Sequence, residues 1–446
     1  MLSLGRSQNL SGCTLRTAKG DVPLGLLRTH TCLDVAASSL DGASVMVWTS
    51  SPVEAAMALV ELDGIARRLV LCPRGIGPDL LNYIVETAEA DAVISDLSLP
   101  EEAGTASWIR CHRELQPAAV PARTRATEWV LLTSGTTGLP KLVVHTLATL
   151  TEAIRVEAAS STVWSTFYDI RRFGGLQIFL RAILTGAPLV LADSDEHVGD
   201  FLARAAACCV THISGTPSHW RMALMNPGAK LISPRYVRLS GEIADQAILN
   251  HLRAAYPEAQ ILHAFASTEA GVAFEVADGL AGFPEHYVSS LQGVQMKMQD
   301  GSLQLRSSRL ALRYLNRDAA PLRSSDGFVD TGDLVELRDG RHFFAGRRDG
   351  VINIGGLKVH PEEVEAVINR HPGVFASLVR TRRNPITGAV VTADVALRSG
   401  QKCGPELERE LIGFCRSSLA GHKVPAVIQF VPQLAISETG KVIRHG

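Results

Sequence analysis

The chain has 446 residues, with 44 Lys and Arg against 45 Asp and Glu and a formal net charge of −1. This balance argues against a nucleic-acid-binding protein with its clustered basic excess. A hydrophobic fraction of 46% and a charged fraction of 20% suit an ordinary soluble globular protein of roughly two to three domains. There is no apolar run of the roughly 18 residues a membrane helix needs, and the start, Met1-Leu-Ser-Leu-Gly-Arg-Ser, lacks the charged-then-apolar order of a secretory signal. Eight cysteines without a CxxC pair argue against structural zinc and a disulfide scaffold, so the expected setting is reducing and cytoplasmic.

Ala43-Ser-Val-Met-Val-Trp48 reads as a strand, and residues 52–62 as a helix with proline in its first turn. Arg68-Leu-Val-Leu-Cys72 is a second strand. Leu80, Leu81, Ile84, Val85 and Ala88 recur at helical spacing, and Asp91-Ala-Val-Ile-Ser95 is a third strand. Strands alternating with helices predict a mainly parallel, helix-covered sheet. Residues 98–127 show no period and read as a connecting segment. A second alternating unit follows, with strands at 187–191, 209–213, 236–239 and 260–263 and helices at 198–207, 217–226 and 245–255.

From about 286 the period becomes two. Val294-Gln-Met-Lys-Met298 and Leu303-Gln-Leu305 flank Asp300-Gly301, and Leu334-Val-Glu-Leu337 and His342-Phe-Phe344 flank Asp339-Gly340, both hairpin signals. After Gly350 the order is strand, helix 361–370, two strands, helix 405–419, strand. The fold class expected is α/β. A large N-terminal domain of residues 1–348 carries parallel sheets and a β-rich part at about 286–348. A small, mobile α+β domain follows at 349–446.

The most informative stretch is Thr133-Ser-Gly-Thr-Thr-Gly-Leu-Pro-Lys141, which follows an apolar strand. Its hydroxyls, glycines and backbone N–H groups can close around phosphate oxygens, with Lys141 adding positive charge. It is not a Walker A loop, since no Gly-Lys-Ser/Thr triplet sits at the required spacing. By composition alone such a loop is more often an ordinary turn than a phosphate site. Likewise Thr268-Glu269 alone reads as a helix cap with an acidic first turn, Asp333 as a turn residue, and Lys441 as a solvated charge near the end of the chain.

Six strings in order change these readings. They are Thr133–Lys141, His263-Ala-Phe-Ala-Ser-Thr-Glu269, Asp330-Thr-Gly-Asp333, Gly346-Arg-Arg-Asp349, Ile354-Gly-Gly-Leu-Lys-Val-His-Pro-Glu-Glu-Val-Glu365 and Thr439-Gly-Lys-Val-Ile-Arg444. Together they span about 70% of the chain, and they resemble the adenylate-forming superfamily of acyl-CoA synthetases, peptide-synthetase adenylation domains and luciferases. In this family a carboxylate attacks the α-phosphorus of ATP, and a thiol then takes the acyl group.

The resemblance implies ATP, Mg²⁺ and CoA or a phosphopantetheine carrier as cofactors and partners, with a small carboxylic acid as substrate. Thr133, Ser134, Gly135, Thr136, Thr137, Gly138 and Lys141 are then the phosphate loop. Thr268 bonds the α-phosphate, and Glu269 holds Mg²⁺, a hard cation that prefers oxygen ligands. Gly241 and Glu242 lie at the adenine, Asp333 takes the ribose hydroxyls, and Arg347 adds a ribose or phosphate contact. Lys441 reaches between acid and α-phosphate, Asp349 is the hinge, and Gly355-Gly356 approach the pantetheine thiol. Lys358 serves a CoA phosphate or is a surface lysine. A monomer or homodimer is expected.

The chain departs from the family pattern in places. Gly350 replaces a second hinge Asp. The usual Phe-His-x-x-Gly is replaced by Phe167-Tyr-Asp-Ile-Arg-Arg-Phe-Gly-Gly175, in which Arg171 falls near the usual His and either meets the acid or bridges to Asp169; the role of Arg172 is open. Phe173 stands near the position where amino-acid-activating relatives place an Asp, which argues against a free amino acid. Ala264-Phe265-Ala266 replaces Gly-Tyr-Gly, and the added methyl groups favour a compact aromatic or a short- to medium-chain fatty acid over a long straight chain. Small bacterial acid–CoA ligases share the size and the Lys141-Leu-Val-Val-His-Thr146 run. The alternatives are an adenylation-only relative and a catalytically silent nucleotide-binding protein.

Overall fold

The structure is a computed structural model that describes residues 3–98, 106–133, 139–156, 161–193, 195–316, 318–354, 357–384, 388–398 and 400–434. The three strands of the first alternating block run in parallel, with Ser44–Trp48 between Arg68–Cys72 and Ala92–Ser95. Glu128–Thr133 extends this sheet in parallel beside Arg68–Cys72, and Lys141–Thr146 turns back antiparallel to it. Every residue of the Pro52–Leu62 helix is buried, and the Ser51 hydroxyl caps it by accepting the Val53 N–H. Such total burial is what an apolar helix lying between two layers requires, each Val or Leu contributing about 1.5–3 kcal/mol.

Residues 98–127 differ from the expected connecting segment. Ser107–Pro117 is an eleven-residue strand, parallel to Ala92–Ser95 and antiparallel to His30–Leu33. It buries little beyond Ile109 and Cys111, so its alternation is diluted by the polar residues of its solvent face.

The second alternating unit is a sheet whose parallel strands run Gln260–Ser267, Tyr236–Ser240, His212–Gly215, Trp164–Thr166, Leu189–Leu191 and Thr14–Thr17. Gly271–Val276 closes one edge antiparallel, and Gly20–Pro23 the other. Its helices Val198–Ala207, Pro217–Met225 and Gln246–Ala255 match the periodic segments. One apolar cluster joins both sheets through Pro52–Leu62 and the Phe173–Thr185 helix. The large sheets and the smaller β-rich C-terminal part bear out the mixed α/β class.

The β-rich segment forms a separate sheet with both predicted hairpins. Asp300 and Gly301 have φ of 52° and 75°, and Asp339 and Gly340 have 48° and 72°. These are the left-handed pairs that match a two-residue turn to the twist of its strands. Beyond Gly350 come Ile352–Ile354, Leu357–Val359, Pro361–Ile368, Val374–Asn384, Gly388–Leu397, Pro405–Ser418 and Val427–Val431; Leu357–Val359, which pairs antiparallel with Ile352–Ile354, is a strand the expected order lacked, and the other elements follow that order. They enclose an apolar cluster drawn from residues 352–430 alone. This part meets the rest through a polar seam: Asp245 Oδ2 accepts from Arg221 Nη2 at 2.6 Å and from Asn369 Nδ2 at 2.9 Å, and Arg398 donates to His251.

Candidate active site

Thr133 and Lys141 are register partners at the ends of two antiparallel strands, so the segment between them is held at both ends by the sheet. Ser134, Gly135, Thr136, Thr137 and Gly138 lie outside the described residues, as do Gly355, Gly356 and Lys441. Lys141 Nζ stands 5.1 Å from the ring centroid of Tyr314, within cation–π range. Tyr314 is fixed there because Arg313–Tyr314 adds a short strand against Val143 and Val144.

Burial and the nearby Glu269 carboxylate push the Tyr314 hydroxyl well up from its usual range, so the phenol stays protonated beside Glu269. Thr268 and Glu269 occupy the turn between Gln260–Ser267 and Gly271–Val276. No helix begins there, which removes the helix-cap reading. The turn is fixed by Ala270 N–H donating to Ser267 Oγ at 3.0 Å and Ala311 N–H to the Glu269 carbonyl at 3.0 Å. Gly271, at φ 69°, closes it: a Cβ there would stand 2.5 Å from the Arg309 carbonyl oxygen.

His145 ties the phosphate-loop strand to this turn. Its Nε2 lies 2.7 Å from the Thr268 carbonyl and its Nδ1 2.9 Å from Thr149 Oγ1. A carbonyl only accepts, so Nε2 carries the proton and Nδ1 accepts from the Thr149 hydroxyl. Burial lowers the His145 pKa to about 4, with the bond to Thr268 opposing, and the ring is neutral at pH 7. Sequence reasoning assigned this residue no role. Its signal was a lone polar side chain inside the fully buried Leu-Val-Val-His run.

Asp333 and Arg347 are cross-strand partners. Burial works against the Arg347 charge, but the Asp333, Asp349 and Glu269 carboxylates more than offset it and raise its pKa. The electrostatic links run from Lys141 through Tyr314 and Glu269 to Arg347 and Asp333, joining predicted residues from four segments. Arg347 Nε donates to Asp349 Oδ1 at 3.1 Å. Asp330 is occupied structurally, accepting from Ser302 Oγ, Gly332 N–H and Arg348 Nη1.

Gly241 has φ 84° and follows Ser240, whose carbonyl accepts the Tyr168 hydroxyl at 2.7 Å. Tyr168 is a second residue that sequence reasoning passed over. Glu242 Oε2 accepts the Ser218 N–H at 2.9 Å at the start of the Pro217–Met225 helix, a capping contact favoured by the helix dipole, so its carboxylate turns toward that helix. Arg171 is 3% exposed and pairs with Asp169 at 2.8 Å while donating to the Thr49 carbonyl. Of its two sequence readings, the bridge to Asp169 is the one formed. Lys358 is exposed.

Among the described residues no three His, Cys, Asp or Glu side chains cluster as a metal cage. Glu269 therefore offers one carboxylate, a set that fits a Mg²⁺ ion brought in with nucleotide phosphates and retaining water.

The AMP-binding enzyme family model matches residues 30–301, well over half of the chain, and that of the AMP-binding enzyme C-terminal domain matches residues 363–441. A 2-succinylbenzoate–CoA ligase of Bacillus velezensis is 26% identical over 406 residues, covering 87% of this chain and 79% of the relative. One from Salmonella typhimurium is 34% identical over 261 residues, covering 56% and 53%. Among solved structures, a benzoate CoA ligase from Burkholderia xenovorans matches with TM-score 0.80 at 20% identity over 99% of both chains. An E. coli MenE variant with bound OSB-AMS matches with TM-score 0.79 at 21% identity, over 97% of this chain and 96% of that one. The chain belongs to the AMP-binding enzyme family and is an AMP-forming acid–thiol ligase.

Proposed function

We propose that this chain adenylates a small carboxylic acid with Mg²⁺-ATP and passes the acyl group to a pantetheine thiol. The observation that supports the assignment of residues is the electrostatic neighbourhood linking Lys141, Tyr314, Glu269, Arg347 and Asp333. It supplies the cations and carboxylate that a nucleotide triphosphate and its metal require on one surface. In the first half-reaction an acid oxygen bonds the α-phosphorus and pyrophosphate leaves. Two anions meet in this step, so charge neutralisation and alignment dominate. The loop from Thr133 through Ser134, Gly135, Thr136, Thr137 and Gly138 to Lys141 embraces the β- and γ-phosphates. Thr268 bonds the α-phosphate, Glu269 holds Mg²⁺, which neutralises phosphate charge, and Lys441 neutralises charge between acid and phosphate.

Asp333 and Arg347 take the ribose side, and Gly241 with Glu242 flank the adenine. In the second half-reaction the thiol sulfur attacks the acyl carbonyl, the thiol proton is lost and AMP leaves. Residues 349–446 then act as a mobile domain hinged at Asp349, and Gly355 and Gly356 admit the thiol closely because they lack a Cβ. The relatives are named as ligases of 2-succinylbenzoate and benzoate, which supports an aromatic acid and CoA here, with a carrier protein as the other acceptor. The test is acid-dependent ATP–pyrophosphate exchange over aromatic, short, medium and long acids, with Lys441→Ala as control. Exchange with one acid class, lost in the variant, is expected; exchange unaffected by Lys441→Ala sinks the role of that lysine.

A further inference from the structure

The strand Lys141–Thr146 is covered on its outer edge by a segment from far along the chain. Leu312 N–H donates to the Val144 carbonyl at 2.7 Å, and Leu315 N–H to the Leu142 carbonyl at 2.9 Å. At Asn316 a side chain takes over from the main chain. Its Oδ1 accepts the Leu142 N–H at 2.7 Å, and its Nδ2 donates to the Pro140 carbonyl at 3.2 Å. The carboxamide acts as one more peptide group of the ladder and holds the backbone on both sides of Lys141.

The remaining Nδ2 hydrogen goes to the Tyr83 hydroxyl oxygen at 2.6 Å. Tyr83 stands on the Pro78–Ala88 helix, and with Leu315 it packs on the apolar cluster that buries Leu81, Ile84 and Ala88 of that helix. Only a nitrogen can face the Pro140 carbonyl, so these partners fix which end of the carboxamide is which.

Pro140 has no N–H, so its carbonyl is the one main-chain group by which that residue can be held. Lys141 is exposed, and a free lysine side chain has wide rotamer freedom. Its charge is therefore delivered only as accurately as its backbone is placed. Asn316 places that backbone, and Tyr314, two residues earlier, sets its ring beside the Lys141 ammonium.

We infer that Asn316, supported by Tyr83, is a positioning residue for the triphosphate, fixing the point at which the loop ends and Lys141 meets the β- and γ-phosphates. This rests on the reading of residues 133–141 as the phosphate loop. The effect is selective. The hold on phosphates beyond the first depends on Asn316, whereas the hold on the nucleoside and α-phosphate is drawn from other segments. Asn316→Asp sets a carboxylate against the Pro140 carbonyl and Tyr83, and adds a negative charge beside an anion site.

The test is calorimetric binding of ATP with Mg²⁺ and of AMP, which needs no knowledge of the acid. Asn316→Ala removes two backbone hydrogen bonds; it is expected to weaken ATP about tenfold and to leave AMP within about twofold. Asn316→Asp should weaken ATP further. Tyr83→Phe should weaken ATP about threefold. Added to Asn316→Ala it should change nothing more, because the phenol acts through the carboxamide. A general loosening of the fold weakens AMP as well, so equal losses for both nucleotides overturn the inference. If Asn316→Ala does not fold, Tyr83→Phe decides by the same comparison. Lys141→Ala separates the remaining outcomes. If it weakens ATP and Asn316→Ala does not, Asn316 has no positioning role. If neither changes ATP binding, residues 133–141 are not the phosphate loop, and the inference falls with that reading.

Discussion

His145 Nε2 donates to the Thr268 carbonyl across 2.7 Å, and through this bond the strand leaving the phosphate loop holds the turn that carries Glu269. The ring is neutral because burial depresses its pKa to about 4; His219, which accepts the Thr216 N–H at Nδ1, is depressed to about 4 for the same reason. Both histidines bind a proton more readily in the unfolded chain. Stability is therefore at its full value above the unfolded pKa near 6.5 and falls as pH drops toward 4, by on the order of 3 kcal/mol per group. Urea midpoints measured from pH 7.5 to 4.5 should fall steeply below pH 6.5. In His145→Gln, which keeps a donor for Thr268, the fall should be shallower; an unchanged profile would contradict the assignment.

Asp333 faces Arg347 across two strands, and its proposed partner is the ribose. Asp333→Asn is expected to raise the KM for ATP about tenfold or more, the loss of one or two charge-assisted bonds. Comparison with 2′-deoxy-ATP locates the effect. The wild-type enzyme should discriminate against the deoxynucleotide, and the variant should lose most of that discrimination. If both enzymes discriminate equally, Asp333 does not touch the ribose.

Tyr314→Phe removes the hydroxyl beside Glu269 but leaves the ring under Lys141. A rise of about threefold to tenfold in the Mg²⁺ concentration for half-maximal exchange is expected, with stability reduced by about 1 kcal/mol. A change in acid KM alone would show that Tyr314 acts elsewhere.

Lys441→Ala should separate the half-reactions. Adenylation is expected to fall by orders of magnitude while ATP binding holds. A preformed acyl-adenylate should still be converted to thioester, since the proposed thiol step gives this lysine no part. Loss of both steps would point to a folding defect in the last segment.

The seam at Asp245 offers another handle on the two steps. Asp245 receives Arg221 and Asn369, Arg221 also reaches the Phe375 carbonyl at 3.4 Å, and Asn369 meets Ser377. On the proposed reading of residues 349–446 as a mobile domain, Asn369→Ala is expected to weaken this seam and change the ratio of exchange rate to thioester rate severalfold. Equal effects on both rates would mean that the seam contributes only to stability.

The parallel sheets and both hairpins were legible because their signals are local. Ser44–Trp48 is a buried apolar run, and Asp300-Gly301 and Asp339-Gly340 are turn pairs whose backbone geometry few other residues accept. Ser107–Pro117 was hidden because Arg113 shares the face of buried Ile109 and Cys111 while Trp108 shares the face of Arg110 and His112, so neither face reads as continuously apolar. In the site, Glu269, Asp333 and Arg347 could be named from their strings. Tyr314 and His145 could not, since each acts through a contact with a segment more than forty residues away.

The pairing of Thr133 with Lys141 carries a consequence for how the enzyme handles its nucleotide. On the proposed reading of residues 133–141 as the phosphate loop, a strand follows it where many phosphate sites place the start of a helix, so the Lys141–Thr146 segment brings no helix dipole behind the triphosphate. The attraction would then rest on exposed Lys141, on a metal carried by the nucleotide and on Lys441. Grip of this kind is easily screened, so pyrophosphate release is expected to depend on the ionic composition of the surroundings.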